Sequence, residues 1–386
     1  MKNEKILREI SARMLQTNEM NLSKFACHSN DAFRKIEEKD FDVRFPFAVD
    51  RDRIVYSGAY RRYQGKTQVF SFANMIDEEM SNRSIHTTYV SQISRTIGKM
   101  LGLNLELIEA IALGHDLGHT PFGHDGEKAL SKCCEKHEIG RFYHNIESMH
   151  IVDNISRQGR GLNLTFQVRD GIISHDGEVH NQMLKPNLHK TEKDIDLYIS
   201  EKMEGKNPGW MPFTMEGCVV RISDTIAYIG QDIEDAIRYD ILKREELPKD
   251  CVEVFGDRNS TIIDRLVKSV AIESFEKDYV GFDNETSDSL LKLKKFNYEK
   301  IYTNKKVKQA NSVIYRSMDL LFDKYLDDIK NCNFESKIFK HFLNHKNENY
   351  LNQFNDAEKV RDFIATMTDR YFNEEAKNLL LPGRYF

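Results

Sequence analysis

The sequence predicts an all-α protein, with a helical core followed by a helical C-terminal region. Three observations carry that expectation. Proline costs about 3 kcal/mol inside a helix; it occurs seven times in 386 residues, and never between Pro248 and Pro382. Apolar residues recur at three- and four-residue spacing in several long segments, which is the helical period. Alternating apolar and polar runs, the mark of half-buried strands, are few.

Residues 1–40 read as one or two helices with a loop near His28–Asp31, and Phe41–Asp52, which carries Pro46, as a connector. Arg53–Phe72 mixes apolar and basic residues without a clean period. Glu79–Leu101 is amphipathic, with Ile85, Tyr89, Ile93 and Ile97 as its inward stripe, and Gly102 ends it. Leu105–Asp116 forms the next helix, turning Leu105, Ile108, Ile111 and Ala112 inward and stopping in LGHTPFGHDGE. Two more helices fall within 143–157 and 163–175. Asn181–Glu216 contains Pro186, Pro208, Pro212 and the single Trp210, and reads as a long loop with a short helix at Asp194–Met203. Val219–Leu242 is another long helix. Beyond Pro248 histidine disappears until His341. The expected division is therefore an N-terminal segment and connector (1–52), a core (53–247) and a C-terminal region (248–386).

Charge and cysteine usage narrow the function. Fifty-six Lys and Arg against 61 Asp and Glu leave a net charge of −5. No global basic excess draws the chain to nucleic acid or a membrane surface. Six scattered cysteines without a CxxC pair make neither a disulfide framework nor a zinc knuckle. No run approaches the ~20 apolar residues of a membrane helix, and MKNEKILREISARMLQ lacks a signal-peptide core. The expectation is a soluble cytoplasmic protein with free thiols and no membrane partner.

Ten of the thirteen histidines lie between His86 and His189. The focus is His115-Asp116, at the end of an apolar helix, followed closely by His119, His124 and Glu127. A divalent metal needs neutral imidazoles and carboxylates converging from rigid elements. His86, on the Glu79–Leu101 helix beside its apolar stripe, and Asp224, flanked by Val219, Val220, Ile222 and Ile226, can complete such a set. A carboxylate in apolar surroundings is costly unless paired or metal-bound. Each piece alone is weak. A second His-Asp pair, His175-Asp176, shows how readily the dipeptide arises, and it lacks the dense His/Glu set downstream of the first.

The order H…HD…D resembles the HD-domain metal-dependent phosphohydrolases. RDRIVYSGAYRRYQGKTQVF, NRSIHTTYV, HDLGHTPFGHDGE, FYHNIESMHIV and RISDTIAYIGQDIEDAI together resemble the deoxyguanosine triphosphate triphosphohydrolase-like (dNTPase) family and span most of Arg53–Ile237. The chain departs from the family pattern at FPFAVDRDR, which lacks a preceding Gln-Arg, and at Tyr60 and Tyr63, where Phe and Leu are usual. The C-terminal third carries no matching motif.

The resemblance implies an HD-domain helical core with His86, His115, Asp116 and Asp224 as ligands of one divalent ion per site. Mn²⁺ suits this mixed nitrogen and oxygen set best, with Fe²⁺, Mg²⁺, Ni²⁺ and Zn²⁺ as alternatives. It implies His119, His124 and His144 at the phosphates, His124 transferring a proton and Glu127 orienting it. It further implies Arg83 on the α-phosphate, Gln68 and Tyr228 at the sugar, and Asp232 on the 3′-hydroxyl. The implied reaction is hydrolysis of a deoxynucleoside triphosphate, dGTP or several dNTPs, to deoxynucleoside and tripolyphosphate by a homo-oligomer.

Read without the family, the same ligands serve an HD phosphomonoesterase or phosphodiesterase. The basic run Arg53, Arg61, Arg62 and Lys66 suits either phosphate or subunit contact or internal salt bridges. Lys292–Lys308, where lysines alternate with Phe296, Tyr298 and Tyr302, raises single-stranded nucleic acid as a partner. That supports a third reading, a nucleotide-sensing or nucleic-acid-binding regulator with weak turnover.

Overall fold

The computed structural model describes residues 2–38, 42–69, 81–175 and 180–381. The start of the Glu79–Leu101 segment, Phe70–Phe72 and Asp176 lie outside the described residues. Regular structure among the described residues is helical apart from one short antiparallel pairing, Met183–Leu184 with Val280–Gly281. The all-α expectation holds, and no described helix is long and apolar enough to cross a membrane.

The Leu105–Gly114 helix is the centre of the molecule. Leu107, Ile108 and every residue from Ala110 to Gly114 are buried. Asn104 starts the helix by accepting from the backbone of Glu106 and Leu107, both at 3.2 Å. The Pro46–Val55, Arg83–Met100, Phe166–Ile173 and Met215–Ile229 helices pack around it. A helix enclosed on so many sides has little room for a charged face, which its sequence, LELIEAIALG, matches.

Four expectations shift. Pro46 begins a helix instead of lying in a connector, because at the first helical position its missing N–H leaves nothing unpaired. The inward face of Arg83–Met100 runs through His86, Val90, Ile93 and Ile97, while Tyr89 is exposed and Ile85 half-buried. A strict four-residue stripe drifts off a face that repeats every 3.6 residues, so His86 lies on the buried stripe and not beside it. The Val219–Leu242 helix is two helices, Met215–Ile229 and Gln231–Arg238, meeting at Gly230. There a Cβ would come 2.5 Å from the Asn259 side chain. The helix within the long loop starts at Glu192, two residues early, through a Thr191–Asp194 capping box.

The C-terminal region grips the histidine-rich loop. Asp369, the first residue of the Asp369–Leu380 helix, accepts from the backbone N–H of Thr67 and of Phe122, each at 2.9 Å, and from the Thr67 hydroxyl. The buried Lys66 ammonium donates to the carbonyls of His119 and Ala365. Phe122 has a left-handed backbone (φ 64°), which costs a non-glycine residue about 1 kcal/mol or more. Its ring meets Phe372 edge-on at 5.1 Å. These contacts hold the strained residue immediately before the helix that carries His124.

Asp369→Ala should therefore orphan two buried N–H groups at about 1–3 kcal/mol each. A clear fall in the thermal unfolding midpoint is expected; an unchanged midpoint would show that the clamp carries no stability.

Candidate metal centre and active site

Asp116 sits at the end of the central helix, buried, with its two oxygens in different company. Oδ2 accepts from the Arg83 guanidinium and lies 3.8 Å from His86 Nε2. Oδ1 faces three imidazoles: His119 Nε2 at 3.2 Å, His115 Nε2 at 3.4 Å and His175 Nε2 at 3.5 Å. Burial opposes ionisation of this carboxyl, but His115, Arg83 and His119 outweigh it and hold its pKa well below the usual carboxylate range. Asp224, from the Met215–Ile229 helix, brings Oδ1 to 3.0 Å from His86 Nε2 and 3.9 Å from His115 Nε2.

These residues fit a divalent ion. The donor atoms of His86, His115 and Asp116 lie within 4.8 Å of one another, and Asp224 reaches two of the three. His115 Nδ1 donates to the Ala112 carbonyl at 2.7 Å, so in the neutral ring, the form that binds a metal, the lone pair is on Nε2. That Nε2 is buried with no hydrogen-bond partner among the described residues. An imidazole fixed through one nitrogen and left bare at the other, beside a carboxylate, is the usual dress of a metal ligand.

A second group adjoins it. Glu127 accepts from His144 Nδ1 at 2.9 Å, from the His144 backbone at 2.8 Å and from His124 Nδ1 at 3.2 Å. Glu127 thus engages both rings through Nδ1. His144 stacks on His119, with centroids 4.0 Å apart. Burial works against protonating His144, but the Glu127 carboxylate prevails and lifts its pKa to about 9. Burial, then Arg83 and His144, push His119 well below the ordinary histidine value. The stacked pair is thus one cation and one neutral ring, a separation typical of acid–base sites. Gly118 lets the loop reach this helix: a Cβ there would come within 2.3 Å of the His144 carbonyl and 2.2 Å of the Ser148 N–H.

Arg83 is buried, not a surface residue, and its Nε and Nη2 lack hydrogen-bond partners among the described residues. Gln68 presents a buried Oε1 with no partner among the described residues, and its carbonyl and the Arg83 guanidinium both border Gly123. Tyr228 is half-buried and Asp232 buried, on either side of Gly230. The Tyr302 hydroxyl donates to Asp232 at 2.5 Å. Tyr302 and His175 are the residues that sequence reasoning did not place here. Tyr302 comes from the distant Lys292–Lys308 stretch. His175 stood in a dipeptide set aside as uninformative.

Several other histidines and cations have partners within the chain. His150 is not a surface residue: it pairs with the buried Asp362 at 2.8 Å. His137 stacks on Phe322 and pairs with Asp323 at 3.1 Å. Arg53 binds the carbonyls of Leu162 and Asn163, and Lys66 those named above. In Lys292–Lys308, Lys292 pairs with Asp250 and Lys308 with Asp125.

Comparison with known proteins places this geometry. The HD domain matches residues 83–228, and the phosphohydrolase-associated domain matches 280–378. The chain is 38% identical over 367 residues to a deoxyguanosinetriphosphate triphosphohydrolase-like protein of Caldanaerobacter subterraneus subsp. tengcongensis, covering 95% of this chain and 94% of that one. The chain belongs to the deoxyguanosinetriphosphate triphosphohydrolase-like family. Family members from Desulfatibacillum aliphaticivorans (35% identical, 94% of this chain and 95% of that one) and Clostridium tetani (36%, 90% and 89%) are also similar over most of their length. The associated domain covers much of the C-terminal region in which the sequence showed no motif, including the Asp369 clamp.

Two outcomes are expected. Asp116→Ala removes the shared carboxylate, so calorimetric titration with Mn²⁺ should show no stoichiometric binding; retained binding would exclude Asp116 from the centre. Burial, helped by Asp235 and Asp224 and opposed by the Tyr302 bond, raises the Asp232 carboxyl to about 8. In the unfolded chain it titrates near 4. Its contribution to stability is therefore full below pH ~4 and lost as pH rises towards 8. Metal-free Asp232→Asn should gain melting temperature over wild type progressively across that window; parallel curves would contradict it.

Proposed function

We propose that this protein hydrolyses deoxynucleoside triphosphates to deoxynucleoside and tripolyphosphate. The observation that carries the reading is the adjacency of two differently tuned groups: a buried His/Asp donor set, and a histidine pair bridged by Glu127 through Nδ1. A chain 38% identical to a deoxyguanosinetriphosphate triphosphohydrolase-like protein over 95% of its length adds the substrate class.

A divalent ion held by His86, His115, Asp116 and Asp224 would supply Lewis-acid polarisation of the α-phosphate. The remaining work falls to side chains. Arg83 offers two buried N–H-bearing nitrogens to an α-phosphate oxygen, in the bidentate manner that suits guanidinium. His144, charged at neutral pH, stabilises negative charge on the phosphates through Nε2. His124 is the more exposed of the Glu127 pair, and its Nε2 passes a proton to the leaving 5′-oxygen. Tyr228 crowds the sugar at the 2′ position, and Asp232, protonated near neutral pH, and Gln68 bond its hydroxyl edge.

An HD phosphomonoesterase or phosphodiesterase would use the same ligands but leaves Arg83, Tyr228 and Asp232 without a purpose. The regulator reading rests on the Lys292–Lys308 stretch alone, in which Lys292 and Lys308 are paired with Asp250 and Asp125. We further propose Mn²⁺ as the working ion, a cytoplasmic location, and a homo-oligomer. Ile6, Ile10 and Met14 form an exposed apolar stripe on the Lys2–Glu19 helix that a second copy could cover.

Incubation of Mn²⁺-loaded protein with each dNTP and its ribonucleotide, singly and mixed, followed by ion-exchange separation, tests the reading. Deoxynucleoside with tripolyphosphate is expected; a mono- or diphosphate product would move the reaction to another phosphorus. His124→Ala should lower turnover by about 10²–10⁴-fold while Mn²⁺ affinity stays at the wild-type value. Wild-type turnover in that variant would remove His124 from the proton path.

A further inference from the structure

His124 rides on the first turn of the Gly123–Lys136 helix, and its side chain is 44% exposed. Phe122, at the start of that helix, offers no side-chain cap. The first four N–H groups of any helix have no partner within it, so a first turn is the part most free to shift. Proton transfer tolerates little shift, because the donor must sit in a near-attack position. The Asp369 clamp fixes Phe122, just before the helix. The turn itself needs a separate anchor.

Asp125, the next residue, supplies it. It is 6% exposed. Its two oxygens accept from Lys308 Nζ at 2.7 and 2.9 Å, and Oδ1 also accepts from Asn311 Nδ2 at 3.2 Å. Lys308 and Asn311 lie 183 and 186 residues further along the chain, within the phosphohydrolase-associated domain. Asn311 begins the Asn311–Lys330 helix, which packs on the helix of His124. Farther along this pair of helices, Lys132 lies over the Tyr315 ring at 4.7 Å and Lys136 pairs with Asp319 at 2.8 Å. Those contacts are about two turns or more from His124. They hold the helix as a body and leave its first turn to Asp125.

Two simpler roles fit less well. An acidic residue in a first turn favours a helix through the macrodipole, but that effect needs neither burial nor a distant lysine. A lysine whose partner adjoins His124 suits substrate phosphate, but this ammonium is engaged by both oxygens of Asp125.

We propose that Lys308 is a positioning residue for His124: its ammonium holds Asp125, and Asp125 fixes the first helical turn so that the His124 ring stays aligned for proton transfer. The inference rests on the proton-transfer role proposed for His124 and deepens it, since it gives the associated domain a part in the chemical step.

The test is a double-mutant cycle on full-length, Mn²⁺-loaded protein. Steady-state turnover is read with the dNTP that wild type hydrolyses fastest, and Mn²⁺ affinity is titrated alongside. Lys308→Met should lower kcat about 10- to 100-fold, while KM and Mn²⁺ affinity stay at their wild-type values. Added to His124→Ala, it should reduce the residual turnover no further, because the group it positions is gone. Asp125→Ala leaves the half-buried Lys308 free to reach water, and it gives the same two readings if Lys308→Met fails to fold. A loss that multiplies with that of His124→Ala overturns the proposal in favour of a general structural role. A raised KM with kcat kept overturns it by placing Lys308 on the substrate. Wild-type kcat in either folded variant overturns it as well. Wild type that turns over no dNTP would instead overturn the hydrolytic reading itself.

Discussion

The molecule is arranged around one buried negative charge. Asp116 ends a helix that is enclosed on nearly every side, where an unpaired carboxylate would cost several kcal/mol. Two of the helices packed on it bring groups that face this charge. Arg83 and His86 come from one neighbour, and His175 follows another. His119 comes from the loop that the Asp116 position itself starts. Asp224, from a third neighbour, brings a second negative charge to the same spot, so the side chains alone leave the cluster calling for a cation. Fold stability and metal affinity are linked here.

The second dependency runs through the C-terminal region. The loop from His119 to Gly123 must turn sharply to bring His124 back beside His144, and it does so through a left-handed phenylalanine. Little in the core itself holds that turn. Asp369 and Phe372 clamp it from one side, and Lys66 ties the His119 carbonyl to Ala365. Tyr302 reaches Asp232 from the same half of the chain. The associated domain thus supports the geometry of the core domain and does more than cover it.

Charge is partitioned across the site in a way that suits phosphate chemistry. On one side carboxylates and neutral imidazoles gather to hold a cation. On the other a single glutamate polarises two imidazoles, and the deeper of them carries positive charge at neutral pH. Between them Arg83 keeps N–H groups that no described residue pairs. Under the proposed function, a polyanion entering this space meets Arg83 and His144, and its sugar meets the Tyr228–Asp232 side, where burial raises the Asp232 carboxyl to about 8.

Much of this was legible from residue types and spacing. The near absence of proline and the helical period determined the fold class, and the crowded histidines with His115-Asp116 pointed to the candidate ligands and to His124 and Glu127, while His144 came from the family resemblance. Those features are local, or repeat within one helix, so a linear reading reaches them. Other features were not legible. The face of the Arg83–Met100 helix was misjudged by one position, and His175-Asp176 was indistinguishable from chance. The C-terminal region showed no motif, though Asp369 and Tyr302 both act at a distance. Each of these depends on which side chains meet across elements far apart in the chain. Periodicity states that a helix has an apolar face but not what that face will meet; only the packing around the Leu105–Gly114 helix decided that three imidazoles point at one oxygen of Asp116.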